Sequence, residues 1–108
     1  MSRVKIVTFV PNENADDVRE ALGNAGAGVL GEYTFCSFSA AGVGRFKPSD
    51  KANPHIGEKC EINAVMEHRV EVTCDRDDAR TIIAALKEAH PYEEVAFDIY
   101  QLIEEDEL

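Results

Sequence analysis

The stretch His90-Pro91-Tyr92-Glu93-Glu94-Val95-Ala96-Phe97-Asp98-Ile99-Tyr100 decides the fold, because it ends a helix, turns the chain and launches the last strand. Proline lacks a backbone N–H and pushes its predecessor out of the α region, so a helix arriving at Ala89 stops at or near His90. Beyond the turn, Val95, Phe97 and Ile99 alternate with Ala96, Asp98 and Tyr100, the two-residue period of a strand. Upstream, Ala79, Ile82, Ile83, Leu86 and Ala89 recur at helical spacing, and Arg69 to Cys74 reads as another strand. The second half is therefore strand, helix, strand.

The first half repeats the plan. Val4-Lys5-Ile6-Val7-Thr8-Phe9-Val10 is a β-branched and aromatic run closed by Pro11-Asn12. Asn12 or Asn14 can cap the helix that follows, with Asp16 and Asp17 in its first turn and Ala15, Val18, Leu22 and Ala25 on one apolar face. Gly26 is placed for a left-handed stop. After a glycine-rich loop over residues 25–31, a strand is expected from Tyr33 to about Ala41, and its hairpin partner over Glu61–Cys74. Between them, a long loop at about 42–60 has no sustained periodicity. Asp75 supplies a cap for the second helix. Two strand-helix-strand units make βαββαβ over a single domain, residues 1–108. The expected fold is a ferredoxin-like α+β sandwich: a four-stranded antiparallel sheet, ordered last, first, third, second, with both helices on one face.

Such a sheet leaves one face without helices. The first strand is apolar on both sides, with Val4, Ile6 and Val10 on one and Val7 and Phe9 on the other. A two-sided apolar strand needs cover on both faces, so a second copy of the chain is the expected cover and a homo-oligomer the expected state.

Composition narrows the partners. The formal charge of −10 opposes phosphate backbones, so nucleic acid is not an expected partner. No apolar run approaches the roughly 18 residues of a membrane span, and Met1-Ser2-Arg3 leads directly into strand-like sequence, so neither a membrane nor a signal peptide is expected. Three cysteines without paired spacing fit a reducing compartment, and the expected location is the cytoplasm.

One combination of blocks resembles a known family. These are Gly26-Ala27-Gly28, Gly31, Tyr33, Cys36-Ser37-Phe38, Gly42-Val43-Gly44-Arg45-Phe46-Lys47-Pro48, Asn53-Pro54, Ile56-Gly57, Glu67 with Arg69, His90-Pro91-Tyr92-Glu93-Glu94 and Asp98-Ile99-Tyr100. Together they are similar to the domain inserted into Nif-three-like proteins, over nearly the whole chain. That domain is in turn similar in fold to the PII proteins and to the divalent-cation-tolerance protein CutA. The resemblance implies assembly through the sheets, with a trimer favoured over a dimer. It also implies that the dinuclear metal centre of the larger proteins lies in flanking domains with no counterpart in this sequence, as in an insert standing alone. Val95 departs from the pattern, where proline often follows the Glu-Glu pair, and so does Cys60.

Several residues are candidates for chemistry. Arg45, Lys47, Lys51 and Lys59 place four of the 11 basic residues between positions 45 and 59. With Gly42 and Gly44 able to bring backbone N–H groups close, Gly42, Gly44, Arg45, Phe46 and Lys47 form the candidate ligand site, for an anion, another small molecule or a protein partner. The alternative is a solvated loop. Gly42-Val43-Gly44 lacks a third glycine and opens no helix, so it is no dinucleotide motif. His90, Glu93 and Glu94 carry donor types for a divalent metal ion, the one cofactor considered, although His90 could instead cap helix carbonyls. Cys36 is expected to be a small buried strand residue, facing the region of Asn63 rather than Cys74. No nucleophile elbow, no ordered Ser-His-Asp set and no paired carboxylates in an evident cleft are present, so catalysis is not expected. The function expected is a binding or regulatory module with ligands at subunit clefts or the 42–57 loop. The alternative is a metal-handling protein using His90, Glu93 and Glu94.

Overall fold

A computed structural model describes residues 2–108. The chain runs β1 (Arg3–Pro11), α1 (Ala15–Asn24), β2 (Phe38–Phe46), β3 (Asn63–Asp75), α2 (Ala79–Ala89) and β4 (Phe97–Gln101), with short 3-10 turns before each helix and near the C-terminus. The four strands form one sheet in the order β2-β3-β1-β4. Every pairing is antiparallel, so the expected βαββαβ sandwich and its strand order are the observed ones.

The core lies between the two helices and one sheet face. Val4, Ile6 and Val10 of β1 join Val70, Val72 and Cys74 of β3 beneath Val18, Leu22, Ile82 and Leu86 from the helices. The helix spacing read in the sequence supplies this stripe, since residues three and four apart share a face. Helix α1 closes with the Gly26 stop: Gly26 stands at φ +105°, its N–H donates to Gly23 O at 3.1 Å, and Ala27 N–H donates to Leu22 O at 3.0 Å. This paired bonding satisfies carbonyls that a helix end otherwise orphans. Helix α2 ends at Ala89, and His90 turns extended at ψ 138°. The expected side-chain caps are not formed, because neither Asn14 nor Asp75 makes a side-chain cap bond. Asn14 is the last residue of the 3-10 turn before α1, and Asp75 precedes the 3-10 turn before α2.

Several boundaries differ from expectation. Strand β2 begins at Phe38 rather than Tyr33, because the intervening chain is tied elsewhere: Leu30 and Tyr33 bridge each other, Cys36 N–H donates to Gly28 O, and Phe35 takes a left-handed φ of +58°. Extended pairing cannot pass through a left-handed residue. Gly42 to Phe46 therefore lie within β2, and the loop spans residues 47–62. Similarly, β4 begins at Phe97 rather than Val95, and Glu93 and Glu94 belong to the bend before it.

Cys36 is also displaced. The register pairs Phe38 with Glu71 and Phe46 with Asn63, so Cys36 lies at the opposite end of the hairpin from Asn63, half-buried in a loop rather than in a strand.

The β2-β3 hairpin projects beyond the packed layer as an arm, and the molecule measures 48 × 26 × 23 Å. Along this arm Val43, Ile62 and Met66 are exposed, although the two-residue period assigns Val43 and Met66 to the same face as core residues. The helices stop short of them. On the sheet face away from the helices, Val7 is fully buried within the single chain, flanked in register by Glu71 and Asp98. Nearby, Glu71 accepts from Lys5 at 3.1 Å and from Arg69 at 3.0 Å, which holds its carboxyl below the usual carboxylate range.

Candidate functional site

Where the arm leaves the sheet, the helix-free face folds into a cavity of about 670 Å³. Its floor is β2, with Ala40, Gly42 and Gly44. Phe9 comes from β1 and Glu67 from β3, and the residue 47–62 loop and the turn at Tyr92–Glu94 wall it. All five residues of the candidate ligand set, Gly42, Gly44, Arg45, Phe46 and Lys47, border this space. They do so from a strand rather than from a loop tip. Because strand residues alternate, Gly42, Gly44 and Phe46 share the face of Glu67, while Arg45 belongs to the other face and reaches the cavity only at its margin.

Glu67 is the residue that sequence alone misplaces. It precedes Arg69 and Glu71 in the two-residue period of a polar, solvated face, yet it is only 7% exposed. Two features make room for it. Across the ladder Glu67 pairs with Gly42, and its carboxylate lies over Gly44, where any Cβ would collide with it. From the other side, Tyr92 Oη donates to Glu67 Oε2 at 2.9 Å. Burial, reinforced by the adjoining carboxylate, raises the Tyr92 phenol well above its ordinary pKa, so the phenol stays a donor at physiological pH. Its ring stands 6.1 Å from that of Phe46 and 4.8 Å from that of His90. A pair of glycines two apart on a strand, opposite an acid, is the signal that would have located this site.

His90 holds the turn that carries Tyr92. Its Nε2 lies 2.7 Å from Phe9 O, and its Nδ1 lies 3.1 Å from the Tyr92 backbone N–H. A carbonyl can only accept and an N–H can only donate, so the ring is neutral with the proton on Nε2. Burial lowers its pKa from 6.5, only partly opposed by the Phe9 carbonyl and the nearby Glu67 charge, while His55 adds to the lowering. Both ring nitrogens are thereby occupied. Glu93 Oε1 accepts the Asn53 backbone N–H at 2.8 Å, pinning the loop to the turn. Among the described residues no group of three or more His, Cys, Asp or Glu side chains is placed to hold a metal ion. Within one chain, the turn engages both His90 ring nitrogens and one Glu93 oxygen with backbone groups.

The sign of the His90 shift gives a pH dependence. The unfolded histidine takes up a proton near pH 6.5 while the folded one resists it, so stability is complete above that value and declines as pH falls towards the folded pKa. The expected slope reaches about 1.4 kcal/mol per pH unit at most. Thermal unfolding between pH 7.5 and 5.5 should show this loss, and His90→Gln should flatten it. An equal slope in both proteins refutes the assignment.

No protein-family model matches the chain. It is 50% identical, over 96 residues and 89% of its length, to a Bacillus subtilis (strain 168) protein named GTP cyclohydrolase 1 type 2 homolog. The solved structure of a Bacillus cereus protein related to NIF3 superposes with a TM-score of 0.83 at 42% identity, covering 95% of this chain and 26% of that one. The periplasmic divalent cation tolerance protein CutA of Archaeoglobus fulgidus superposes at TM-score 0.69 and 15% identity, over 94% of this chain and 85% of that one, a likeness of fold alone. The chain spans about a quarter of the curated relatives it matches. With 42% or more of its residues shared across nearly all its length, the chain is homologous to one segment of the NIF3-related proteins, and that segment has the PII/CutA-like fold.

Proposed function

We propose that this chain is a non-catalytic binding module that holds a small ligand in the cavity between the arm, the residue 47–62 loop and the Tyr92–Glu94 turn, and that it self-associates through the sheet. The observation that supports the ligand site is the cavity itself. Its volume, about 670 Å³, falls within the range of small-molecule pockets, and it combines an apolar glycine and alanine floor with few polar groups. The loop that walls it is fastened by Asn53 to Glu93 rather than left free. Partner recognition belongs to the same region, since Arg45 and Lys47 stand at its margin.

Self-association is supported by exposed apolar groups that the single chain does not cover. Phe38 and Tyr100 are exposed on the helix-free face; Val43, Ile62 and Met66 are exposed on the arm, with Val43 and Met66 on the helix side of the sheet. Three copies are the favoured assembly and two the next.

Saturation-transfer NMR with a set of neutral and charged aromatic fragments tests the ligand site. Fragments should bind the wild-type chain and lose detectable binding in Gly44→Leu, whose side chain fills the floor, while circular dichroism shows the fold retained. Fragment binding indifferent to that substitution removes the cavity as the site. Light scattering tests the assembly, where a mass that is a multiple of 11.9 kDa is expected and a single-chain mass refutes it.

A further inference from the structure

Taking the cavity as a ligand site, we propose that Glu67 anchors a nitrogen cation, so that the cavity selects a flat organic cation such as an amidine or guanidine. Glu67 is nine-tenths buried, yet its one hydrogen bond from the described residues comes from a neutral phenol. None of the described Lys, Arg or His side chains forms an ion pair with it. A buried carboxylate without a positive partner is a costly arrangement that a cationic ligand relieves.

The neighbouring cations are committed or turned away. Arg69 is held by Glu71 at 3.0 Å and lies over the Phe9 ring at 5.8 Å, and the strand period sets Arg45 on the far face. Glu93 and Glu94 add further negative charge to the wall, which Arg45, Lys47, His55 and Arg69 also border. The direction of the carboxylate completes the case. With Oε2 occupied by Tyr92, Oε1 lies over Gly44 at the cavity floor, where no side chain of the described residues donates to it. An amidinium donates two N–H groups in one plane, which suits a carboxylate, and its plane can lie against the rings of Phe46 and Tyr92. The site thereby reverses the anion preference that the basic residues at positions 45–59 suggest.

Three probes of one shape and different charge test this on the 108-residue chain: benzamidine, benzamide and benzoate, titrated by protein-observed NMR. Benzamidine should shift the amide signals of Gly42, Gly44, Glu67 and Tyr92 and bind about tenfold or more tightly than benzamide, with benzoate weakest. Glu67→Gln keeps an acceptor for Tyr92 and should bring benzamidine down to the level of benzamide, leaving benzamide unchanged. Benzoate binding as tightly as benzamidine, or benzamidine affinity unmoved by Glu67→Gln, overturns the cation preference. If only the neutral or anionic probe shifts those signals, this proposal fails while the cavity remains a ligand site. If none of the three does, both fail together.

Discussion

Replacing Leu86 by alanine should lower the free energy of unfolding by about 2–5 kcal/mol, measured by urea denaturation at fixed protein concentration. Leu86 is fully buried on the inward stripe of α2, within the single core that joins both helices to the sheet. Truncation removes the transfer free energy of its methyl groups and leaves a cavity that a close-packed interior only partly collapses around. A small domain has roughly 5–15 kcal/mol of stability in all, so the variant should unfold at visibly lower denaturant. Fixed concentration matters because self-association adds stability that depends on it. A loss below about 1 kcal/mol contradicts the packing described, since even removal of one buried methyl group costs that much.

Gly28→Ala should cost about 2–4 kcal/mol, from two independent causes. The residue sits at φ +81°, a left-handed conformation that a Cβ disfavours by about 1–2 kcal/mol. A Cβ there would also stand 2.7 Å from the Cys36 backbone nitrogen, closer than any side chain tolerates. Gly28 cannot retreat, because its N–H donates to Thr73 O at 2.9 Å and its carbonyl accepts Cys36 N–H at 2.9 Å. These bonds tie the segment between α1 and β2 to the third strand. Gly31 is the control: it is also left-handed, at φ +57°, but nothing lies within 4 Å of its missing Cβ. Gly31→Ala should therefore show only the conformational part. Equal losses in the two variants, by the same urea measurement, would mean that the close approach at Cys36 contributes nothing.

Different parts of the molecule were legible for different reasons. Proline at position 91, the stripe from Ala79 to Ala89 and the alternation of Val70, Val72, Phe97 and Ile99 are local signals, and each found its element. Gly26 likewise acts locally, and the helix stops at it. The start of β2 was not legible in this way. Tyrosine, threonine and phenylalanine near position 35 satisfy a strand by composition, but Phe35 is held left-handed with its ring in the space above Gly23. Propensity reports what a segment prefers alone, and a long-range contact overrode it.

The candidate site divides similarly. Gly42 through Lys47 were singled out for their glycines and charges, and they do border the cavity, although from a strand. His90, Glu93 and Glu94 form a group in the sequence only because they are near neighbours along the chain. In the fold, the His90 ring serves backbone groups of β1 and of the turn, and the Glu93 side chain accepts from the residue 47–62 loop.

The sequence by itself determined the order of strands and helices, the two mirrored halves and the inward stripe, because hydrophobic period and chain breakers act over a few residues. Tertiary structure alone decided that Glu67 is buried and faces a cavity. That outcome needs Gly44 from one strand, Glu67 from another and Tyr92 from a turn 25 residues further along the chain, and only folding brings them within hydrogen-bond reach.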